Sequence, residues 1–535
     1  MGDGRPGWYG SEVIGNCRAE ACFVSRTDPR VASRRRLIGA IAAALASRSS
    51  QLTAAAQSAE TGEPGRRPNI ILIVLDDLDS TVVTQMPEFQ ELVEGRAATC
   101  TNFFVTTPLC APSRASLLRG QYPHNHGMLT NTVPDGGFRT FHLLEREEST
   151  IATWLHDAGY RTALIGKYLN GYPRDVSRRY MPPGWDEWFG VTSKRSLYYG
   201  FTLNENGTLV DYGDAPTDYE TDVLAAKAVD FVKRSTEGTT PFFLYVAPLA
   251  PHSPATHAPR HAERFTDVQF ARPPGHNEAD IADKPAWLRN TPLLTDEQIS
   301  QVDENQRKRL RSLLPVLEMI TGLIDELRRR NALENTYFLI TSDNGWFAGE
   351  HRLGIGKQAV YEESIRVPLM VWGPGILGGQ EIEDLSLNID LAPTIAALAR
   401  VTPPAFVDGR SLAPLLQGDP PPTVRQAALI ELFAPADGEG TQPGGDEPVA
   451  SAEVARDVPP YRALRTAEAV YVEYDSGERE LYDLRVDPYQ LDNLVNTADP
   501  TLMDRFSTRL AELARCAGDT CQTAENAPLE SFGVP

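Results

Sequence analysis

The chain lacks any run of eighteen apolar residues, so no membrane-spanning helix is expected. It is short of positive charge. Its 51 Lys and Arg face 72 Asp and Glu, a formal net charge of −21. That balance excludes general nucleic-acid binding and attraction to an anionic membrane surface. An anionic ligand would need a local cluster of cations. No internal repeat is visible, and histidine and cysteine are scarce, at nine and six residues. What remains is an ordinary apolar content in 535 residues. That is enough for one large domain and a smaller one.

The few cysteines sort by context. Cys17 and Cys22 precede a mild apolar run, Leu37 to Ala46, which follows Ser33-Arg34-Arg35-Arg36 and leads into small residues through Ala59. This resembles a twin-arginine export signal; the other reading is a disordered basic arm. The thirty residues before it have no export logic, and a start at Val31 would account for them. Residues 1–65 are therefore expected to be leader and linker, and the protein to be exported (periplasmic, cell-surface or secreted). Cys516 and Cys521 bracket a short polar loop, which in an exported protein suits a local disulfide. Cys100 reads as a buried thiol. Cys110 remains.

Hydrophobic patterning gives an α/β chain. Asn69 to Leu75 is a nearly continuous apolar run, as in a strand buried on both faces. Ser149 to Gly159 reads as a capped helix and Arg161 to Ile165 as a strand. Asp218 to Val232 is helical, Phe242 to Val246 a strand, Glu304 to Arg330 a long helix, and Tyr337 to Thr341 a strand. Such alternation predicts a mainly parallel sheet flanked by helices. The pattern changes near Asp419. Ala434 to Asp457 is Pro-, Gly- and acid-rich and reads as a mobile surface insertion. Ala469 to Tyr474 and Glu480 to Leu484 suggest a small antiparallel sheet, with a last helix from Leu502 to Arg515. The expected division is 66–420 for the main α/β domain and 421–535 for a C-terminal subdomain.

Two acid pairs follow strands: Asp76 and Asp77, then Asp343 and Asn344. Ligands of parallel α/β sheets bind beyond the carboxyl ends of strands. All four are oxygen donors, which suits Ca²⁺ or Mg²⁺ better than zinc. Either pair alone is equally a helix cap or turn. Cys110 lies in Pro108-Leu109-Cys110-Ala111-Pro112-Ser113-Arg114-Ala115-Ser116-Leu117-Leu118. Ala115 to Leu118 read as the first turns of a helix, with Pro112 at its entry. Cys110 is then near a helix N-terminus that favours an anion, and Arg114 can return to its face. The plain alternative is a buried structural cysteine.

The run from Cys110 to Arg114 resembles the signature that a formylglycine-generating enzyme reads in type I sulfatases. Gly159 to Asn170 resembles the second sulfatase motif. Ser342-Asp343-Asn344-Gly345 with Lys357, and Ala250-Pro251-His252-Ser253-Pro254, resemble further landmarks of the family. Asp408 to Leu412 and Glu480 to Leu484 resemble weaker ones. The resemblance spans about Asn69 to Leu484 and implies an alkaline-phosphatase-like fold. It implies that Cys110 is oxidised to formylglycine, whose hydrate attacks the sulfur of a sulfate ester. It implies a cation on Asp76, Asp77, Asp343 and Asn344. Arg114, Lys167 and Lys357 would offset the sulfuryl charge, and His252 would protonate the leaving oxygen. Singly, each lysine is equally a solvated surface residue and His252 a satisfied loop histidine.

One departure is informative. Many arylsulfatases carry a histidine two residues after the motif lysine, where this chain has Leu169. That leaves open which group helps to deprotonate the nucleophile. Lys167-Tyr168-Leu169-Asn170 instead resembles N-acetylglucosamine-6-sulfatases and their extracellular endosulfatase relatives, as do Tyr122 to His126 and Tyr180 to Trp185. The expected substrate is a sulfated carbohydrate of the N-acetylglucosamine 6-sulfate type, with His124, His126 and Asn170 as sugar contacts. The two histidines equally suit the support of a turn. The rival readings are a phosphomonoester or phosphonate hydrolase on the same fold and a non-catalytic glycan-binding protein. A two-zinc hydrolase would need histidine ligands, and no histidine adjoins either acid pair.

Overall fold

Seven residues, Asn69–Leu75, form β1, and every one of them is buried. In the computed structural model, which describes residues 66–194, 198–420, 423–434, 458–530 and 532, this strand lies inside a ten-stranded sheet. The leader reading, and the insertion reading apart from Ala434, fall outside the described residues.

The other strands of this sheet are β2 (Ala98–Cys100), β3 (Arg161–Gly166), β4 (Glu187–Lys194), β5 (Phe201–Glu205) and β6 (Thr208–Asp211). They continue with β7 (Phe242–Ala247), β8 (Thr336–Ser342), β9 (Leu369–Trp372) and β10 (Glu381–Ile382). The spatial order is β10-β2-β9-β8-β1-β7-β3-β4-β5-β6. The centre, β8-β1-β7-β3-β4, is parallel. Pairing turns antiparallel on both sides of that centre. The hairpin of β5 and β6 is absent from the sequence-based reading. It turns on Asn206 and Gly207, both at positive φ (51° and 85°), as a tight hairpin turn requires.

Alternation along β1 separates two apolar layers. Ile70, Leu72 and Val74 pack with α1 (Cys110–Arg119), α2 (Ile151–Asp157) and α5 (Leu391–Leu398). Ile71, Ile73 and Leu75 pack against α3 (Glu220–Ser235) and α4 (Asp296–Arg329). Helix α4 starts at Asp296 rather than near Glu304. Thr295 and Gln298 form a capping box there, and the first two turns are too polar to show a period. Pro315 lies inside this helix without ending it.

The predicted C-terminal sheet is present. It has four antiparallel strands in the order β11 (Ala428–Leu432), β12 (Tyr461–Arg465), β13 (Ala469–Tyr474) and β14 (Arg479–Asp483). It packs on α6 (Pro500–Leu513) and shares one apolar cluster with Phe104, Tyr122 and Tyr361. Residues Pro64–Pro535 cluster as one unit. Cys516 and Cys521 are disulfide-bonded, and Cys100 is a buried free thiol. Among the described residues no helix is long and apolar enough to cross a membrane.

Candidate active site

Strand register brings the two acid pairs together. Leu75 of β1 pairs with Ser342 of β8, so Asp76 and Asp343 leave the sheet side by side. The Asp343 amide donates to the Leu75 carbonyl at 3.1 Å, and the Asp77 amide to Asp343 Oδ1 at 3.1 Å. Asp77 has φ +67°, in the left-handed region that Asp tolerates better than most residues. Arg309 of α4, fully buried, holds this turn: its Nη2 donates to the Asp77 carbonyl at 2.7 Å and to Asp79 Oδ2 at 2.6 Å. Sequence reasoning missed Arg309, because Arg307-Lys308-Arg309 reads as a solvated helix face.

Cys110 is the first residue of α1, a helix with all ten residues buried. Its N-cap, Leu109, has no side chain able to take the orphan amides. Asn131 substitutes, accepting the Ala111 N–H on Oδ1 at 2.8 Å. Pro112 lies in the first turn, where a missing N–H costs little. Four residues past Cys110, Arg114 points back to the site. Its Nε donates to Asp343 Oδ2 at 2.8 Å, and its Nη2 is 3.6 Å from Asp76 Oδ2.

The lysines arrive from two other strand ends. Lys167, directly after β3, places Nζ 2.5 Å from Asp76 Oδ2. Lys357 places Nζ 2.5 Å from Asp77 Oδ1 and 2.8 Å from Cys110 Sγ. Cys110 Sγ is 3.8 Å from Asp76 Oδ1. His252 follows β7. Its Nδ1 donates to the Ser253 carbonyl at 2.6 Å, which turns Nε2 toward Asp77 Oδ2 at 3.6 Å.

Three carboxylates and three cations thus meet in one buried cluster. Burial pushes the Cys110 thiol far above its usual range, and Lys167 and Lys357 offset only part of that. An unmodified Cys110 would be a protonated, weak nucleophile. Burial disfavours charge on Lys357, yet Asp77 and its neighbours hold it well above the usual ammonium range. Burial and the nearby Asp76 raise the Asp343 carboxyl.

The cluster can hold a hard cation. Oxygens of Asp76 and Asp77 and Cys110 Sγ lie within 4.8 Å of one another. Asp77 Oδ2 and Asn344 Oδ1 are buried with no hydrogen-bond donor, while Asn344 Nδ2 donates to Asp77 Oδ1 at 2.6 Å. Buried oxygens left without donors are costly unless a cation serves them.

The expected sugar contacts fare differently. His126 is fully buried; Nε2 lies 3.0 Å from Ser116 Oγ, and Nδ1 accepts the Met128 amide at 3.1 Å. His124 directs Nδ1 to Glu431 at 2.7 Å and Nε2 to the Cys516 carbonyl at 3.0 Å. With every ring nitrogen engaged by protein, both histidines support the turn after α1. Their placement as sugar contacts is corrected. Asn170 is buried, its carbonyl accepting the Phe138 amide, and its Oδ1 has no partner.

Comparison with known proteins agrees with this geometry. Residues 68–401 match the family model described as Sulfatase. The chain is 36% identical over 487 residues to human N-acetylglucosamine-6-sulfatase, covering 86% of each. It is 33% identical over 505 residues to an arylsulfatase of Volvox carteri, covering 85% of this chain and 76% of that one. Among solved structures, a protein in complex with its substrate D-glucosamine-2-N,6-O-disulfate superposes with TM-score 0.68. Its identity is 23%, covering 87% of this chain and all (100%) of that one; at that level the likeness speaks for the fold. A buried cysteine ringed by cations, on a fold matched over most of its length, has one consistent meaning: the chain belongs to the sulfatase family and is a sulfuric ester hydrolase.

Proposed function

We propose that the protein hydrolyses sulfate esters of carbohydrates, preferring the 6-sulfate of N-acetylglucosamine, with a formylglycine made from Cys110 and a Ca²⁺ or Mg²⁺ ion. The observation that carries this reading is the convergence on Cys110. Lys357 Nζ is 2.8 Å and Asp76 Oδ1 3.8 Å from its sulfur. Beside it lie oxygens of Asp77 and Asn344 that have no donor.

Asp76, Asp77, Asp343 and Asn344 would hold the ion. When bound, the two missing groups supply a nucleophile of lowered pKa and a Lewis acid for the sulfate oxygens. The chain supplies the rest. Arg114 is anchored through Asp343, which fixes its guanidinium beside the reacting position. Lys167 and Lys357 approach from opposite carboxylates and would offset charge on the sulfuryl oxygens. His252, tethered through Nδ1, presents Nε2 as the proton donor to the departing sugar oxygen. Asn170 would contact the sugar. Residues 66–420 would carry this chemistry, with 421–535 as a packed C-terminal subdomain. A formylglycine-generating enzyme is the required maturation partner. Export, by a twin-arginine route, fits the Cys516–Cys521 disulfide.

The substrate preference rests on the motif of Lys167 to Asn170 and on the name of the human relative. The test is a panel of N-acetylglucosamine 6-sulfate, a galactose sulfate, a nitrophenyl sulfate and a nitrophenyl phosphate. The 6-sulfated amino sugar should have the highest kcat/KM. A better galactose or aryl ester defeats the sugar assignment, and a better phosphate defeats the sulfatase reading. Mass spectrometry of the Cys110 peptide from active enzyme should show loss of sulfur and two hydrogens and gain of oxygen.

A further inference from the structure

Beside the cation cluster lies a second feature, of which the reading above uses only Asn170. A pocket of about 160 Å³ is lined by Asn131, Gly137, Phe138, Arg139, Asn170 and Arg174, among others. It shares a wall with the active site. Asn131 Oδ1 accepts the amide of Ala111, next to Cys110, and Asn170 lies three residues after Lys167 on the same loop.

Its construction is that of a binding site. The loop is pinched by Gly136 and Gly137, where a Cβ would lie 1.7 Å from the Thr130 carbonyl oxygen and 2.6 Å from that of Asn131. Since the Ala111 amide claims Asn131 Oδ1, the free arm of that amide is the donor Nδ2, and it has no partner. Asn170 Oδ1 is an acceptor with no partner. Both residues are more than nine-tenths buried, at 4% and 6% exposure. A buried donor and a buried acceptor, both unmet, cost the fold free energy until a ligand satisfies them. Two guanidinium groups complete the lining. Arg139 is paired with Asp175 at 2.6 Å. Arg174 is exposed, and no carboxylate is paired with it among the described residues. In a chain of net charge −21, an uncompensated cation at the rim of a polar pocket is a local exception.

We infer that this pocket is the specificity subsite for a second anionic substituent of the substrate, a carboxylate or a further sulfate. Arg174 receives the charge, and Asn131 and Asn170 bond to neutral sugar groups beside it. The inference rests on the carbohydrate-sulfatase reading above and names what else that carbohydrate carries. Guanidinium is suited to both anions through its forked donors.

The test uses the matured enzyme with three substrates that carry the same 6-sulfate. They are N-acetylglucosamine 6-sulfate, glucosamine 2-N,6-O-disulfate, and a disaccharide joining the 6-sulfated amino sugar to a uronic acid. Wild type should favour at least one doubly anionic substrate. Arg174→Ala should raise KM for that substrate roughly tenfold, the loss of one charged hydrogen bond. Its kcat, and both constants for the singly anionic sugar, should stay the same. Arg174→Lys should recover part of the loss. Which of the two dianions responds identifies the group as sulfate or carboxylate. An equal loss on all three substrates, or no loss on either dianion, overturns the subsite. If wild type hydrolyses none of the three, the carbohydrate-sulfatase reading fails and the subsite with it.

Discussion

Two buried ion clusters in this protein are built from similar parts and end differently. At the joint between α1's following turn and the C-terminal segment, Arg425 donates to both oxygens of Asp390 and to Glu525 Oε2. Glu525 Oε1 accepts from Tyr122, and the Asp390 oxygens also accept backbone amides. Every charged atom of Asp390, Arg425 and Glu525 has a partner. In the cluster around Cys110, by contrast, Asp77 Oδ2, Asn344 Oδ1 and Arg114 Nη2 are buried without a hydrogen-bond partner. The satisfied cluster joins two parts of a fold. The unsatisfied one stores unmet hydrogen-bonding capacity where an ion and a sulfate are proposed to sit.

The sharpest way to break the contrast is to remove one member from each cluster. Cys110→Ala should lower kcat by roughly 10⁴-fold or more, as loss of a covalent nucleophile does. Its melting temperature should stay within a few degrees of wild type; a variant that keeps substantial turnover would remove Cys110 from the reaction. Arg425→Ala should do the reverse. It leaves Asp390 buried without its cation and Glu525 with Arg410 as its remaining cation, at a cost of about 3–5 kcal/mol in denaturant titration. The fraction that remains folded should turn over substrate at the wild-type rate.

A third measurement concerns the C-terminal sheet. Burial raises the Glu480 carboxyl to about 7, against an ordinary 4.5, and Lys284 and the hydroxyls of Tyr361 and Tyr474 moderate the rise. The folded state therefore holds a proton that the unfolded state releases, so stability falls as pH rises from 4.5 to about 7 and is flat above. The expected loss is on the order of 3 kcal/mol. Glu480→Gln should flatten the dependence of melting temperature on pH between 5 and 8. An unchanged slope would mean that another group sets it.

The gentlest test fills the unsatisfied cluster. After chelation, restoring Ca²⁺ or Mg²⁺ should recover activity and stabilise the fold by about 2.7 kcal/mol at a hundredfold excess over Kd. Asp343→Ala should abolish the ion-dependent shift. The joint around Arg425 should be indifferent to the ion. Full activity after exhaustive chelation would contradict the assignment of the ion.

The framework of the site around Cys110 was legible in the chain; the contrast itself was not. The central strands are short apolar runs, and their alternation with helices gave the parallel sheet. Motif residues Cys110, Arg114, Lys167, His252 and Lys357 do meet: Cys110 and Arg114 share one helix, Lys167 and His252 follow the neighbouring strands β3 and β7, and Lys357 follows the short strand Ile355–Gly356 outside the main sheet. Other features were hidden. The hairpin around Asn206-Gly207 lies at the sheet's edge, where mixed polarity blurs the period. Arg309 looked solvated because a helix face is named by its sequence neighbours, whereas its burial depends on the turn after β1. His124 and His126 look like ligands in a motif, yet Ser116, Glu431 and backbone groups far along the chain occupy their nitrogens.

By itself the sequence determined the four central strands β1, β3, β7 and β8 with helices between them, the oxygen-donor pairs at two strand ends and the cysteine at a helix entry. Those are local properties, set by hydrophobic period, capping and residue chemistry. Only the tertiary structure decided which polar groups are satisfied. Asp390, Arg425 and Glu525 are separated by up to 135 residues and form a closed network. Asp77 and Asn344, far apart in sequence, each keep a buried oxygen with no hydrogen-bond donor. Hydrogen-bond satisfaction depends on distance and direction between elements that the chain brings together only on folding, so no local pattern encodes it.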